Sequence, residues 1–300
     1  MERLYRGISE LVTCRGGVRR GAAMREVGVI EDGAFLVRDG RIAAVGKRED
    51  LEKGYRGEAF DCGNRLVTPG FVDSHTHLVF GGERAEEFSW RLRGESYLSI
   101  MERGGGIVNT VDATRAASEE ALTAQAETHL ARMRAMGVTT CEIKSGYGLD
   151  TQTELKQLSV VRRLRTSQKT RLVPTFMGAH AVPRGMRSEE YIDYCLSESL
   201  PVAAKSGLCE FADIFVERGA FSLDEARRYL SRAKELGLRT KVHADEMTPL
   251  GGAGLAVEAG ACSADHLLQV SDRDIGALAR SSTVATVLPL TAFCLGEEYA

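Results

Sequence analysis

Three hundred residues, 43% apolar and 27% charged, suffice for one large domain or two ordinary ones. A net charge of −3 argues against a general nucleic-acid binder, which would carry a basic face. No apolar run approaches the roughly 20 residues that span a bilayer, and Met1 to Cys14 has no signal-peptide core. Seven scattered cysteines without a Cys-x-x-Cys pair suit reduced thiols in a cytoplasm better than a disulfide framework.

Residues 1–65 read as a small β-rich subdomain. Two apolar stretches, Ala34 to Val37 and Ile42 to Val45, flank Asp39-Gly40, a pair that favours the positive φ of a two-residue hairpin turn. Residues 66–300 read as repeated strand–helix units. Phe71 to His77 is expected to be the first strand, with its histidines two apart and therefore on one side. Val138 to Ile143 is the second, followed by a helix with a capping box at Thr151 and Glu154. Leu172 to Phe176 is the third, with a helix from about Ser188. Ala212 to Val216 precedes a helix capped by Ser222 and Glu225, with Ala226, Tyr229, Leu230 and Ala233 on one face and Gly237 as its stop. Thr240 to His243 is followed by Thr248-Pro249, read as an N-cap and first helical residue. Ser263 to Leu267 and Val284 to Leu290 complete seven strands.

Such units make a parallel sheet, open or closed. No Gly-x-Gly-x-x-Gly follows the first strand, and polar residues recur at strand C-terminal ends, where barrel active sites form. Both observations favour a TIM-like (β/α) barrel with seven of its eight strands. His75, His77, His180, His243 and His266 lie at or just past strand ends. The sixth histidine, His129, reads as a solvated residue in mid-helix. Two imidazoles at the end of one strand are half a metal site, and neutral imidazoles suit zinc or iron.

The run Pro69-Gly70-Phe71-Val72-Asp73-Ser74-His75-Thr76-His77 resembles the opening strand of the amidohydrolase superfamily of metal-dependent hydrolases. Asp73 to Arg84, Glu142 to Leu149, Phe176 to His180 and Val242 to Glu246 are similar, in that order, to motifs of its imidazolonepropionase family. The resemblance implies hydrolysis of the cyclic amide of 4-imidazolone-5-propanoate to N-formimidoyl-L-glutamate, in histidine degradation. It implies His75, His77 and His243 as ligands of one zinc or iron ion. Arg84, Tyr147 and His180 match substrate-binding positions, Glu246 a residue beside the ring and the attacking water, and His266 a histidine that assists the water. It is compatible with a homodimer and with a small molecule, rather than nucleic acid or membrane, as partner. The family's fourth ligand, an aspartate on the eighth strand, finds no match up to Ala300, so the chain is expected to lack about the last quarter of the usual length, including part of the β subdomain. Its own activity is then an open expectation, and the alternatives are an inactive fragment or another cyclic-amide hydrolase or deaminase of the superfamily.

Several residues also have a plain reading. Glu246 could simply start a helix, where the dipole favours an anion. Arg84 lies in the charged stretch from Glu83 to Arg93, and an isolated tyrosine such as Tyr147 more often packs than binds. Lys144 on the second strand fits a structural or electrostatic role better than a bridging carbamate. Gly104-Gly105-Gly106 suits an anion cradle, the bend of a lid or a plain flexible loop.

Overall fold

The computed structural model describes residues 1–95, 105–296 and 298. It divides into two compact units, Met1–Phe71 and Val72–Ala300. Gly104 lies outside the described residues.

The first unit is a four-stranded sheet in the order β3-β2-β1-β4, formed by β1 (Glu2–Val12), β2 (Val29–Arg38), β3 (Arg41–Lys47) and β4 (Glu58–Val67). The hairpin stands where Asp39-Gly40 predicts it. Both residues have positive φ, 51° and 74°, as a primed turn requires. β1 is antiparallel to β2 and parallel to β4. Leu4, Ile8, Leu11 and Ala34 form its buried face. β1 and β4 escape the sequence pattern because charged residues interrupt them, and many of their side chains face solvent.

The second unit carries a seven-stranded sheet: β5 (Phe71–Asp73), β6 (Val138–Lys144), β7 (Arg171–Ala179), β8 (Phe211–Val216), β9 (Arg239–Ala244), β10 (Ser263–His266) and β11 (Val284–Val287). Spatial order follows chain order without reversal, and the pairings from β6 to β11 are parallel. A doubly wound sheet would reverse direction at a switch point. Monotonic winding is the barrel mode, so the seven strands have the TIM-like α/β architecture expected.

The helix Leu223–Glu235 shows how sequence dictates packing here. Ser222 and Glu225 form the expected capping box, and Gly237, with φ at +83°, ends the helix. Ala226, Tyr229, Leu230 and Ala233 recur at helical spacing and are buried in the core that contains Ile214 and Val242.

Four local expectations are corrected. β5 ends at Asp73, so His75 and His77 follow the strand rather than occupy it. The segment still lies along β6, because Lys144 N–H donates to the Thr76 carbonyl at 2.9 Å and Thr76 Oγ1 donates to the Glu142 carbonyl. The helix Thr151–Ser167 is capped by Asp150, not by a Thr151–Glu154 box; Glu154 turns inward instead. Thr248-Pro249 is no helix start, since the next helix is Gly252–Glu258 with Gly251 at its N-cap. Asp245 captures the N–H groups of Gly251, Gly252 and Ala253, which satisfies that helix end from a distance. Finally, Leu288 to Leu290 leave the strand, and a helix begins at Pro289.

Candidate metal centre and active site

The C-terminal ends of β5, β7, β9 and β10 bring five histidines together. The His75 ring lies 4.5 Å from that of His243 and 5.0 Å from that of His266. His77 stacks on His180 at 4.5 Å, and Tyr147 packs 5.4 Å from His77. His129 is elsewhere, half-buried against Phe80 at 5.7 Å, rather than fully solvated.

His75, His77 and His243 form a compact donor set, with one ligand nitrogen from each all within 4.8 Å of one another. Their hydrogen bonds decide which nitrogen is available. His77 Nδ1 lies 3.2 Å from the Ser145 carbonyl, which can only accept, so Nδ1 carries the proton and Nε2 a lone pair. His75 Nδ1 is likewise taken by Asp265, at 2.7 Å. His77 Nε2 and His243 Nε2 then face each other at 3.2 Å. The His77 Nε2 lone pair can meet either a proton on His243 Nε2 or a cation held between the two rings. This arrangement fits a divalent ion held by three neutral imidazoles.

Burial, reinforced by the neighbouring imidazoles, pushes His77 and His243 well below the ordinary imidazole range. Burial likewise lowers His180 to about 4 and His266 to about 3. Neutral rings are what metal ligation requires. The same shifts predict a pH dependence of folding. An unfolded histidine titrates near ~6.5. Below that pH the unfolded chain takes up protons that the native rings refuse, so stability is full above about pH 6.5 and falls as the pH drops toward 4. The slope approaches about 1.4 kcal/mol per pH unit for each such histidine. Urea unfolding of the metal-free protein should therefore show a lower midpoint at pH 5.5 than at pH 7.5. His180→Gln should reduce that difference, and identical midpoints would contradict the neutral assignment.

The other expected site residues are placed as follows. His180 Nδ1 donates to the Gly146 carbonyl at 2.9 Å, leaving its Nε2 as acceptor. Tyr147 is part of the loop after β6. Glu154 fixes that loop by accepting from the N–H groups of Gly146, Gly148 and Leu149 at 2.7–2.9 Å. Glu246 Oε1 stands 3.2 Å from His266 Nδ1. Glu217 anchors the loop that carries Glu246, accepting from the N–H groups of Met247 and Thr248 and from the Thr248 hydroxyl. Arg84 stands at the N-terminus of the helix Ala85–Leu92, where it pairs with the buried carboxylate of Glu87 at 2.6 Å. A cleft of about 800 Å³ lined by Val182, Met186, Glu217 and Leu223 contains none of the five histidines, so concavity alone does not locate the chemistry.

Beneath the histidines lies a charged layer that a reading of strand ends misses. Lys144 Nζ contacts Asp213 at 2.7 Å, Glu142 at 2.9 Å and Asp265 at 3.4 Å. Lys241 Nζ bonds Glu142 at 2.8 Å and approaches Asp265 at 3.6 Å. All five side chains are buried. Asp213 Oδ1 lies 3.1 Å from His243 Nδ1, within ion-pair reach but outside hydrogen-bond geometry. The sequence does carry a signal for this layer. Glu142 and Lys144, and again Lys241 and His243, stand two apart in their strands, so each pair shares a face.

Comparison with known proteins accords with this geometry. The Amidohydrolase family model matches residues 66–288, and the model of an imidazolonepropionase-like composite domain of bacteria matches residues 33–56. The imidazolonepropionase of Clostridium tetani (strain Massachusetts / E88) is 52% identical over 99% of this chain and 72% of its own length. The chain belongs to the imidazolonepropionase family of amidohydrolases. The imidazolonepropionase of Porphyromonas gingivalis (strain ATCC BAA-308 / W83) is also 52% identical, over 100% of this chain and 73% of its own. Among solved structures, Escherichia coli guanine deaminase aligns with a TM-score of 0.62 at 14% identity, over 99% of this chain and 69% of that one. An adenosine deaminase from Xanthomonas campestris, with bound zinc, aligns at 0.61 and 15% identity, over 99% and 65%. These two likenesses show the fold. Membership of the imidazolonepropionase family makes the chain a hydrolase of cyclic amides that acts on a small molecule. Among the described residues, no helix is long and apolar enough to cross a membrane.

Proposed function

We propose that the chain hydrolyses the cyclic amide of 4-imidazolone-5-propanoate to N-formimidoyl-L-glutamate, with one zinc or iron ion held by His75, His77 and His243. The observation that carries this reading is the convergence of those three imidazoles beside Glu246, His266, His180 and Tyr147 in a chain 52% identical to named imidazolonepropionases.

When bound, the ion lowers the pKa of a coordinated water and polarises the substrate carbonyl. Glu246 takes a proton from the water as its oxygen bonds to the ring carbonyl carbon, and returns that proton to the ring nitrogen as the carbon–nitrogen bond breaks. His266, held neutral by burial and 3.2 Å from Glu246, orients that carboxylate. His180, locked as the Nδ1–H tautomer by Gly146, presents Nε2 to a ring N–H. Tyr147 donates its hydroxyl; burial raises its pKa, so it keeps the proton. Arg84 reads the propionate through a charge-assisted pair. Seven free cysteines support a reducing, cytoplasmic setting, and a homodimer is compatible with the reading.

The direct test is ring opening by the metal-loaded protein, followed by the loss of imidazolone absorbance; no turnover with either ion would overturn the assignment. Arg84→Met is expected to weaken substrate binding by about 1.5–3 kcal/mol, roughly ten- to a hundred-fold. The loss should shrink for a ring analogue without the propionate. Equal losses for both ligands would show that Arg84 does not read the carboxylate.

A further inference from the structure

Asp265 is fully buried and joins the charged layer to the histidine cluster. Its Oδ2 lies 2.7 Å from His75 Nδ1, closer than to either lysine. A carboxylate in this place can only accept, so the proton sits on His75 Nδ1 and the Nε2 lone pair is left for a ligand. The carboxylate has little freedom to move. Lys144 approaches it from one side at 3.4 Å and Lys241 at 3.6 Å. Both lysines are themselves tethered, Lys144 by Asp213 and Glu142, and Lys241 by Glu142 and by the Ser74 carbonyl at 3.1 Å. Ser74 immediately precedes His75 in the chain. The backbone that delivers His75 and the carboxylate that orients its ring are thus anchored to the same buried group.

We propose that Asp265 is a positioning residue of the metal centre: it fixes the tautomer and ring orientation of His75 and, as an anion, strengthens that imidazole as a donor to the ion. The inference rests on the assignment of His75 as a ligand. Carboxylate partners of ligating histidines are worth about ten- to a hundred-fold in metal affinity. Here the two lysines hold the carboxylate, so the charge on Asp265 matters as well as its hydrogen bond.

Asp265→Asn keeps the shape and an acceptor oxygen but removes the charge. Zinc affinity, measured by chelator competition on the whole chain, should fall ten- to a hundred-fold, with the far-UV spectrum unchanged. A second measurement leaves Asp265 in place. In the metal-free wild-type protein at pH 7.5, nitrogen-15 NMR of labelled histidines should show His75 as the Nδ1–H tautomer, assigned by the loss of its signals in His75→Gln. A packing role alone would not fix that tautomer. Wild-type zinc affinity in a folded Asp265→Asn, or an Nε2–H tautomer at His75, would overturn the proposal. If His75→Ala releases zinc while Asp265→Asn retains it fully, the positioning role fails and the ligand assignment stands. If His75→Ala and His243→Ala both retain zinc fully, the ligand assignment itself fails.

Discussion

Replacing His243 with alanine is expected to strip the protein of its metal. On the proposed assignment three histidines share the work of binding, and tight zinc sites reach about 10–16 kcal/mol in total. Each ligand is then worth about 3–5 kcal/mol, roughly a hundred- to several-thousand-fold in affinity. Metal content after gel filtration should drop from about one ion per chain toward zero, and turnover should drop with it. Folding should suffer less than burial suggests. His243 is held neutral among other imidazoles, so its removal also relieves a cost that grows as the pH falls below about 6.5. His75→Ala should behave alike in metal content. Elemental analysis of both variants is decisive, and full retention in both would sink the ligand assignment.

Lys144→Met is expected to produce the largest loss of stability. Lys144 is completely buried between three carboxylates. Despite the burial cost, Asp213, Glu142 and Asp265 hold its pKa above the ordinary lysine range. The converse holds for two partners: against the burial cost, the lysines hold Asp213 low, and His75 with the lysines holds Asp265 low. Removing one member of a buried ion network leaves uncompensated charge, at about 3–5 kcal/mol. The pH dependence gives the sign. The stability that Asp213 and Asp265 contribute is present above their unfolded pKa of ~3.9 and is lost as the pH falls through their depressed folded values. In Lys144→Met those carboxyls protonate more readily, so the deficit should be greatest near pH 7 and shrink toward pH 4. Adding Asp213→Asn should recover part of the loss, because the 2.7 Å pair is removed from both sides. Urea midpoints for wild type, Lys144→Met, Asp213→Asn and the double variant at pH 7 and pH 4 would test this; a deficit under about 1 kcal/mol at pH 7 would mean that the cluster is not ionised as drawn.

Much of the barrel unit was legible because its signals are local. The helix Leu223–Glu235 announces its start, buried face and stop within sixteen residues, and the structure keeps all three. The Asp39-Gly40 turn follows from backbone sterics alone. Local chemistry misled where a distant group competed. Glu154 has the spacing of a capping residue, yet three unpaired N–H groups in the 146–149 loop claim its carboxylate. Thr248 looks like an N-cap, yet Glu217 from the end of β8 takes its hydroxyl and N–H, while Asp245 holds the helix that follows. Neither competitor can be seen from the residues nearby.

By itself, the sequence determined that parallel strands alternate with helices, that histidines collect at strand ends, and which family motifs they belong to. Those properties depend on residue type and short spacing. Tertiary structure decided the rest. It decided that His75 and His77 converge although they lie beyond the strand, that the Nε2 atoms of His77 and His243 face each other, and that Lys144 neutralises carboxylates from three other strand positions. Those facts depend on which strands are neighbours and on how far each is from water. Asp265 is 190 residues from His75 in the chain and 2.7 Å from it in the fold; only the winding of the sheet joins them, and only burial gives the contact its strength.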